Sequence, residues 1–253
     1  MSPLSFAAFV FIATFVPTLL GFLLQRLVPE SYTDDATEGN VKVVLGMLSM
    51  LTSVVLGFVT AEAKNSFDNA AKIISDTSVR LVSIDRVLAD FGEDATAIRG
   101  RIKQEARRWA DRINSPEGDR NADLGVIKRG EELEDLVGDI KALKPSSDHL
   151  AQDQARAIDL ASEILHDRWV LTTDRAAATP TVFLLVVLTW LALEFFIFGL
   201  FASPTPPVVL ATFLGAVTVA SAMFLVLDLE GPTSGPMRVS TKSLERAIAI
   251  LGQ

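Results

Sequence analysis

Along the chain, apolar residues gather into four near-continuous blocks, and elsewhere they recur every three or four positions. The blocks run from Leu4 to Val28, Val43 to Ala61, Pro180 to Ala202 and Val208 to Leu227. Each is long enough to cross a hydrocarbon core, which takes about 20 apolar residues in a helix. Ionisable residues interrupt them only at Glu194 and, near an end, at Arg26. The first block has no basic leading segment and is too long for the apolar core of a secretion signal, so it reads as a retained transmembrane helix.

The polar middle, 62–179, has a helical period. Phe67, Ala70, Ile74, Thr77, Leu81, Ile84, Leu88 and Phe91 form a heptad seam. No Gly or Pro separates this seam from the second block, so one helix is expected to run unbroken out of the membrane until "FGED" stops it at Gly92. A second helix carries Ile98, Ile102, Trp109 and Ile113 on one face. A third carries Leu133, Leu136, Ile140 and Leu143 and stops at "KPSSD". A fourth, from about His149, aligns Ala157, Ala161, Leu165 and Trp169 and heads for the third block, with Pro180 a kink or junction. The pattern predicts an all-α integral membrane protein. Its four transmembrane helices form two hairpins, with a cytoplasmic helical bundle inserted between the second and third spans. The expected divisions are 1–61 and 180–228 for the hairpins, 62–179 for the bundle, and 229–253 for a cytoplasmic turn and amphipathic helix.

Composition agrees with such segregation: of 253 residues 49% are hydrophobic and 21% charged, with a net charge of −8. Loop charges suggest an orientation. The loop from Pro29 to Asn40 holds Glu30, Asp34, Asp35 and Glu38 without Lys or Arg, and "SPTPP" at 203–207 is uncharged. Lys64, Lys72, Arg80, Arg168, Arg175, Arg238, Lys242 and Arg246 flank the opposite ends. The positive-inside rule then places both termini and the middle domain of a multi-pass membrane protein in the cytoplasm. Arg26 and Lys42 run against this bias. The absence of Cys fits a reducing compartment.

After the fourth span, "DLEGPTSGPMRVSTKSLERAI" changes character abruptly. Gly231, Pro232, Gly235 and Pro236 end the helix, and "STKSLERAI" starts a new capped one with Leu244, Ile248 and Leu251 on one face. Asp228 lies near the water interface, where burial is not expected. Its carboxylate is positioned to accept from turn amides near Thr233 and Ser234 or to pair with Arg238. Asp228, Pro232, Gly235, Arg238 and Ser240 would then form a clamp; the alternative is a solvated loop with a disordered tail.

This turn, with Asp228-Leu229, Pro232, Gly235 and Val239-Ser240, resembles the bestrophin-like family of bacterial membrane proteins, a domain of unknown function. "LGFVTAEAKNSFDNAAKII" and "LVSIDRVLADFGEDA" are similar to that family's exit from the second span and the helix that follows. The resemblance covers essentially the whole chain and specifies family rather than activity. Its name implies an anion channel, but "FVP" at Phe15 to Pro17 is only a faint echo of an apolar pore neck, and no acidic cluster matches a calcium clasp.

The spans themselves supply candidates. In the second, Gly46, Ser49, Ser53, Gly57 and Thr60 share one helical face, suited either to close helix packing or to lining water. The first span offers a partner stripe in Thr14, Thr18, Gly21 and Gln25, with Arg26 snorkelling beyond it; the fourth offers Ala211, Gly215, Thr218 and Ala222. Glu194 lies about 12 Å inside its span at the helical rise per residue. A carboxylate at that depth is costly unless protonated, paired or hydrated, and points either to transport or gating or to a hydrogen-bonded structural acid.

Enzyme chemistry finds little support. "EILH", Glu163 to His166, has the spacing of a di-iron motif, which needs a second copy that the sequence lacks. "GPTSG" has neither the Lys nor the spacing of a phosphate loop. No cofactor or metal is expected, and no catalytic residue. Arg99, Arg101, Lys103, Arg107, Arg108 and Arg112 form a basic stretch, expected to pair inside an acidic domain, with Glu131, Glu132, Glu134 and Asp135 as partners, rather than to bind nucleic acid. Two functional classes follow. One is a homo-oligomeric, channel-like or transport-related protein in the lipid bilayer, for which the bestrophin-like resemblance alone implies a small anion. The other is a non-conducting membrane-anchored scaffold or sensor whose bundle binds a cytoplasmic protein.

Overall fold

In the computed structural model, residues 3–27, 35–114, 134–174, 181–231 and 236–253 are described. They form α1 (Pro3–Gln25), α2 (Asp35–Ala89), a 3-10 turn (Gly92–Ala95), α3 (Thr96–Asn114), α4 (134–142), α5 (Asp148–Asp174), α6 (Thr181–Phe201), α7 (Pro206–Glu230) and α8 (Lys242–Ile250). No strand occurs among the described residues. Four of these helices, α1, α2, α6 and α7, are long and apolar enough to cross a membrane.

The chain divides into two compact units, Met1–Asn65 with Ala178–Glu230, and Ser66–Ala177 with Gly231–Gln253. In the first, α1 packs on α6 and α7. The α1–α6 contact is set by small residues: a Cβ added at Gly21 would lie 2.5 Å from the Phe196 carbonyl oxygen, and one at Gly199 would run into the Thr18 carbonyl. Where lipid tails are as apolar as the side chains, such close backbone approach supplies the dispersion energy that hydrophobic burial supplies in water. On the α7 side, Phe11 and Phe15 meet the Phe213 ring edge-on, with centroids 5.5 and 5.7 Å apart.

The second unit has an aqueous type of core. α2 continues through the expected exit without a break, and Ala70, Ile74, Thr77, Leu81, Ile84, Leu88 and Phe91 are all buried. Ile98, Ile102, Ala106, Ala110 and Ile113 of α3 join them, as do Leu136 and Ile140 of α4 and Ala157, Ala161 and Ile164 of α5. Gly92 turns the chain with φ +60°, a conformation that costs a side chain with a Cβ about 1–2 kcal/mol. Gln154 closes the end of α4 by donating from Nε2 to the carbonyls of Ile140 and Leu143, each at 2.8 Å.

Several expectations need correcting. Trp169 is not on the buried face of α5 but half exposed. Of the basic stretch of α3, Arg99, Arg101 and Arg108 form ion pairs, with Asp85, Asp139 and Glu105; Glu134 and Asp135 are exposed. Glu131, Glu132, Leu133, Arg175 and Pro180 lie outside the described residues.

Candidate functional site

In α6 an almost unbroken apolar sequence places one carboxylate, Glu194, at the wall facing α2, only 9% exposed. Two hydroxyls of α2, one turn apart, donate to it: Ser49 Oγ to Oε2 at 3.2 Å and Thr52 Oγ1 to Oε1 at 2.5 Å. Among the described residues no basic side chain bonds to it. An open groove of about 270 Å³ adjoins the carboxylate, lined among others by Ser49, Phe195, Phe198, Thr212 and Gly215. The Thr212 hydroxyl donates to the Val208 and Val209 carbonyls of its own helix, both at 3.0 Å.

The two predicted stripes have different fates. Thr14, Thr18 and Gly21 are buried, Gln25 is half-buried, and the stripe packs on α6 at Gly199 rather than on the α2 stripe. Its hydroxyls are satisfied by their own helix, Thr14 donating to the Val10 carbonyl at 2.9 Å and Thr18 to that of Thr14 at 3.3 Å. The α2 stripe faces outward. Gly46, Ser49, Ser53 and Gly57 are exposed, Thr60 is half-buried, and among the described residues nothing beyond the helix's own backbone lies within 4 Å of a Cβ built at Gly46 or Gly57. Ser53 and Thr60 return their hydrogens to the carbonyls of Ser49 and Leu56, at 2.7 and 2.8 Å, so only Ser49 of this stripe reaches across to another helix. The small face of α7 is likewise outward at Ala211 and Thr218.

Thr52 was not singled out from the sequence because it sits off the stripe. The available signal was the Ser-x-x-Thr pair, which puts two hydroxyls on one helical edge at the level of an intramembrane acid.

The C-terminal region holds a second polar constellation, within the other unit. Asp85 of α2 is 1% exposed. Arg99 grips it with Nε at 2.8 Å and Nη2 at 2.9 Å, and the Gly252 amide donates to Oδ2 at 3.1 Å. Burial pushes the Asp85 carboxyl up, but the hydrogen bonds from Arg99 and Gly252 and the charges of Arg99 and Arg86 outweigh it and hold the group below its ordinary value. Arg99 is raised, first by its bond to Asp85. Lys103 Nζ donates to the Leu251 carbonyl at 2.5 Å, and Leu244 and Leu251 are fully buried, so α8 is docked.

Asp228, expected near water, is 0% exposed: its carboxylate falls on the inward face of α7 with Val226 and Leu229. Arg238 donates to the Asn114 carbonyl at 3.4 Å, and Ser240 Oγ accepts from the Lys242 amide at 3.4 Å. Pro232, Thr233, Ser234 and Gly235 lie outside the described residues. Glu163 of the "EILH" segment pairs with Arg80, at 2.8 Å, and Arg80 also binds Asp167. Partial burial acts to lower Arg80, but the hydrogen bonds and charges of Glu163 and Asp167 together outweigh it and raise the group. Asp90, His149 and Asp153 are near enough to share a cation, their ligand atoms lying within 4.8 Å of one another, but Asp90 and His149 are exposed.

No curated protein sequence gives a significant match. Among solved structures, three variants of a bacterial bestrophin homologue from Klebsiella pneumoniae superpose on this chain with TM-scores of 0.69, 0.68 and 0.67. They are 14%, 15% and 14% identical, over 97%, 100% and 97% of this chain and 99% of each of theirs. The likeness therefore shows the fold. The sequence profile of the Bestrophin-like domain matches residues 12–244, nearly the whole length, and the chain belongs to the Bestrophin-like family.

Proposed function

We propose that this membrane protein assembles as a homo-oligomer whose membrane helices enclose a channel-like ion pathway, with the α2 face as its lining. The observation that carries the reading is the exposure of Gly46, Ser49, Ser53 and Gly57 on a helix whose neighbouring exposed positions, Met47, Met50 and Val54, are apolar. Lipid has no use for a small, hydroxyl-bearing face; a second copy or a water column does. Family membership and bestrophin-like fold support a channel over an enzyme. A small anion is the permeant the family name suggests. In the bacterial inner membrane, the flanking basic residues favour cytoplasmic termini and a cytoplasmic second unit.

The chain has no native cysteine, so a single Ser53→Cys reports hydration cleanly. Reconstituted in liposomes, the variant should pass chloride, and a charged thiol reagent should modify it and reduce the flux. An intact oligomer that passes no ion and leaves the cysteine unmodified would overturn the proposal in favour of a dry, non-conducting scaffold.

A further inference from the structure

The groove beside Glu194 is lined by residues of a single chain, and one of them, Ser49, also belongs to the α2 face assigned above to the channel lining. Three features of it converge. The first is charge: a carboxyl group only 9% exposed beside the membrane-grade helices α2 and α7 has two hydroxyls as partners and, among the described residues, no basic side chain. Ionised groups at such depth are sustained by a countercharge. The second is the polarity of the lining. Ser49 has given its hydrogen to Glu194 and Thr212 has given its hydrogen to its own backbone. The polar atoms of the lining side chains are therefore oxygens, on Glu194, Ser49 and Thr212, and the other lining side chains supply no donor. The third is access and size, since the space is open and about 270 Å³.

A carboxyl group flanked by hydroxyl oxygens whose hydrogens are already committed offers nothing to a neutral hydrogen-bond acceptor. It matches a single positive charge surrounded by hard oxygen ligands. We propose that Glu194, Ser49 and Thr212 form a binding site for a compact monovalent cation, either an alkali ion or the head of a small alkylammonium whose apolar body lies against Phe195 and Phe198. Thr52 holds the carboxylate toward α2 and is a positioning residue.

The test uses the full-length oligomer in nanodiscs, with thermal unfolding measured in sodium, potassium or butylammonium chloride against N-methylglucamine chloride at equal ionic strength. A ligand that binds only the folded state raises the midpoint in a saturable way. A response to sodium or potassium identifies an inorganic ion; a response to butylammonium alone identifies an organic amine. Either supports the site. Glu194→Gln keeps the size of the side chain and should abolish the response. Thr212→Val, which leaves the Glu194 contacts intact, should weaken apparent affinity about 5-fold, the loss of one ligand contact near 1 kcal/mol. A wild-type protein that responds to none of these cations overturns the proposal, as does a Glu194→Gln protein that responds like wild type. Chloride flux is scored separately, so failure of one reading leaves the other visible.

Discussion

Replacing Asp85 with Ala tests whether α8 is fastened by a buried ion pair or only by its leucines. The Asp85 side chain is 2% exposed and its Arg99 partner 19% exposed. The substitution removes two charge-assisted bonds from Arg99 and the acceptor for the Gly252 amide, and strands a partly buried guanidinium. Breaking a buried pair from one side costs about 3–5 kcal/mol, chiefly because the remaining charge is left uncompensated. Arg99→Met with Asp85→Ala removes that orphan. The double variant should therefore regain a large part of the loss, with a coupling of about 1–3 kcal/mol.

The assay is thermal unfolding of the purified protein, paired with limited proteolysis of α8. Asp85→Ala should make α8 protease-sensitive while α1, α6 and α7 stay protected. The acid dependence has a definite sign. Because the folded carboxyl is held below its ordinary value, the pair contributes its full stability above about pH 4, the unfolded carboxyl range, and loses it as pH falls through the lower folded value. The wild type should therefore lose α8 protection only in strong acid, and between pH 5 and 8 this pair should impart no pH dependence. Strictly additive single and double variants, or an α8 that stays protected in Asp85→Ala, would refute the latch.

Gly199→Ala drives a Cβ into the Thr18 carbonyl and should cost about 1–3 kcal/mol as α1 and α6 separate, whereas Gly57→Ala meets, among the described residues, nothing beyond its own helix backbone; thermal stability of the two variants checks the contrast. If Gly57→Ala is neutral for the isolated chain yet disturbs the oligomer on size exclusion, a second copy covers that face. For orientation, Ser147→Cys should be shielded from an impermeant thiol reagent in intact cells and Thr205→Cys labelled, with the opposite pattern reversing the assignment.

What the sequence made legible follows from the range of the interactions concerned. The seam from Ala70 to Phe91 and the docked face of Leu244 and Leu251 repeat their signal every turn, so a local period reveals them before any partner is known. Glu194 was visible as an acid out of place in an apolar run, but the hydroxyl donors that hold it are 142 and 145 residues away, and no period connects them. Asp85 was hidden for the opposite reason: one residue past Ile84, it looked like the polar flank of a heptad, and its burial depends on Arg99 and on the chain at Gly252, 167 residues further on. Asp228 shows the same limit, since proximity to a helix end suggested water and the packing around α7 put the side chain inside. Isolated polar residues in these helices thus announce that a partner must exist, because the apolar surroundings make an unpartnered charge expensive. The partner's identity is fixed by how helices far apart in sequence come together. The outward α2 stripe extends that reasoning by one level: Gly46 and Gly57 open onto space that no other described element fills, so what that face is suited to lies in the assembly, where Gly57→Ala and Ser53→Cys are read.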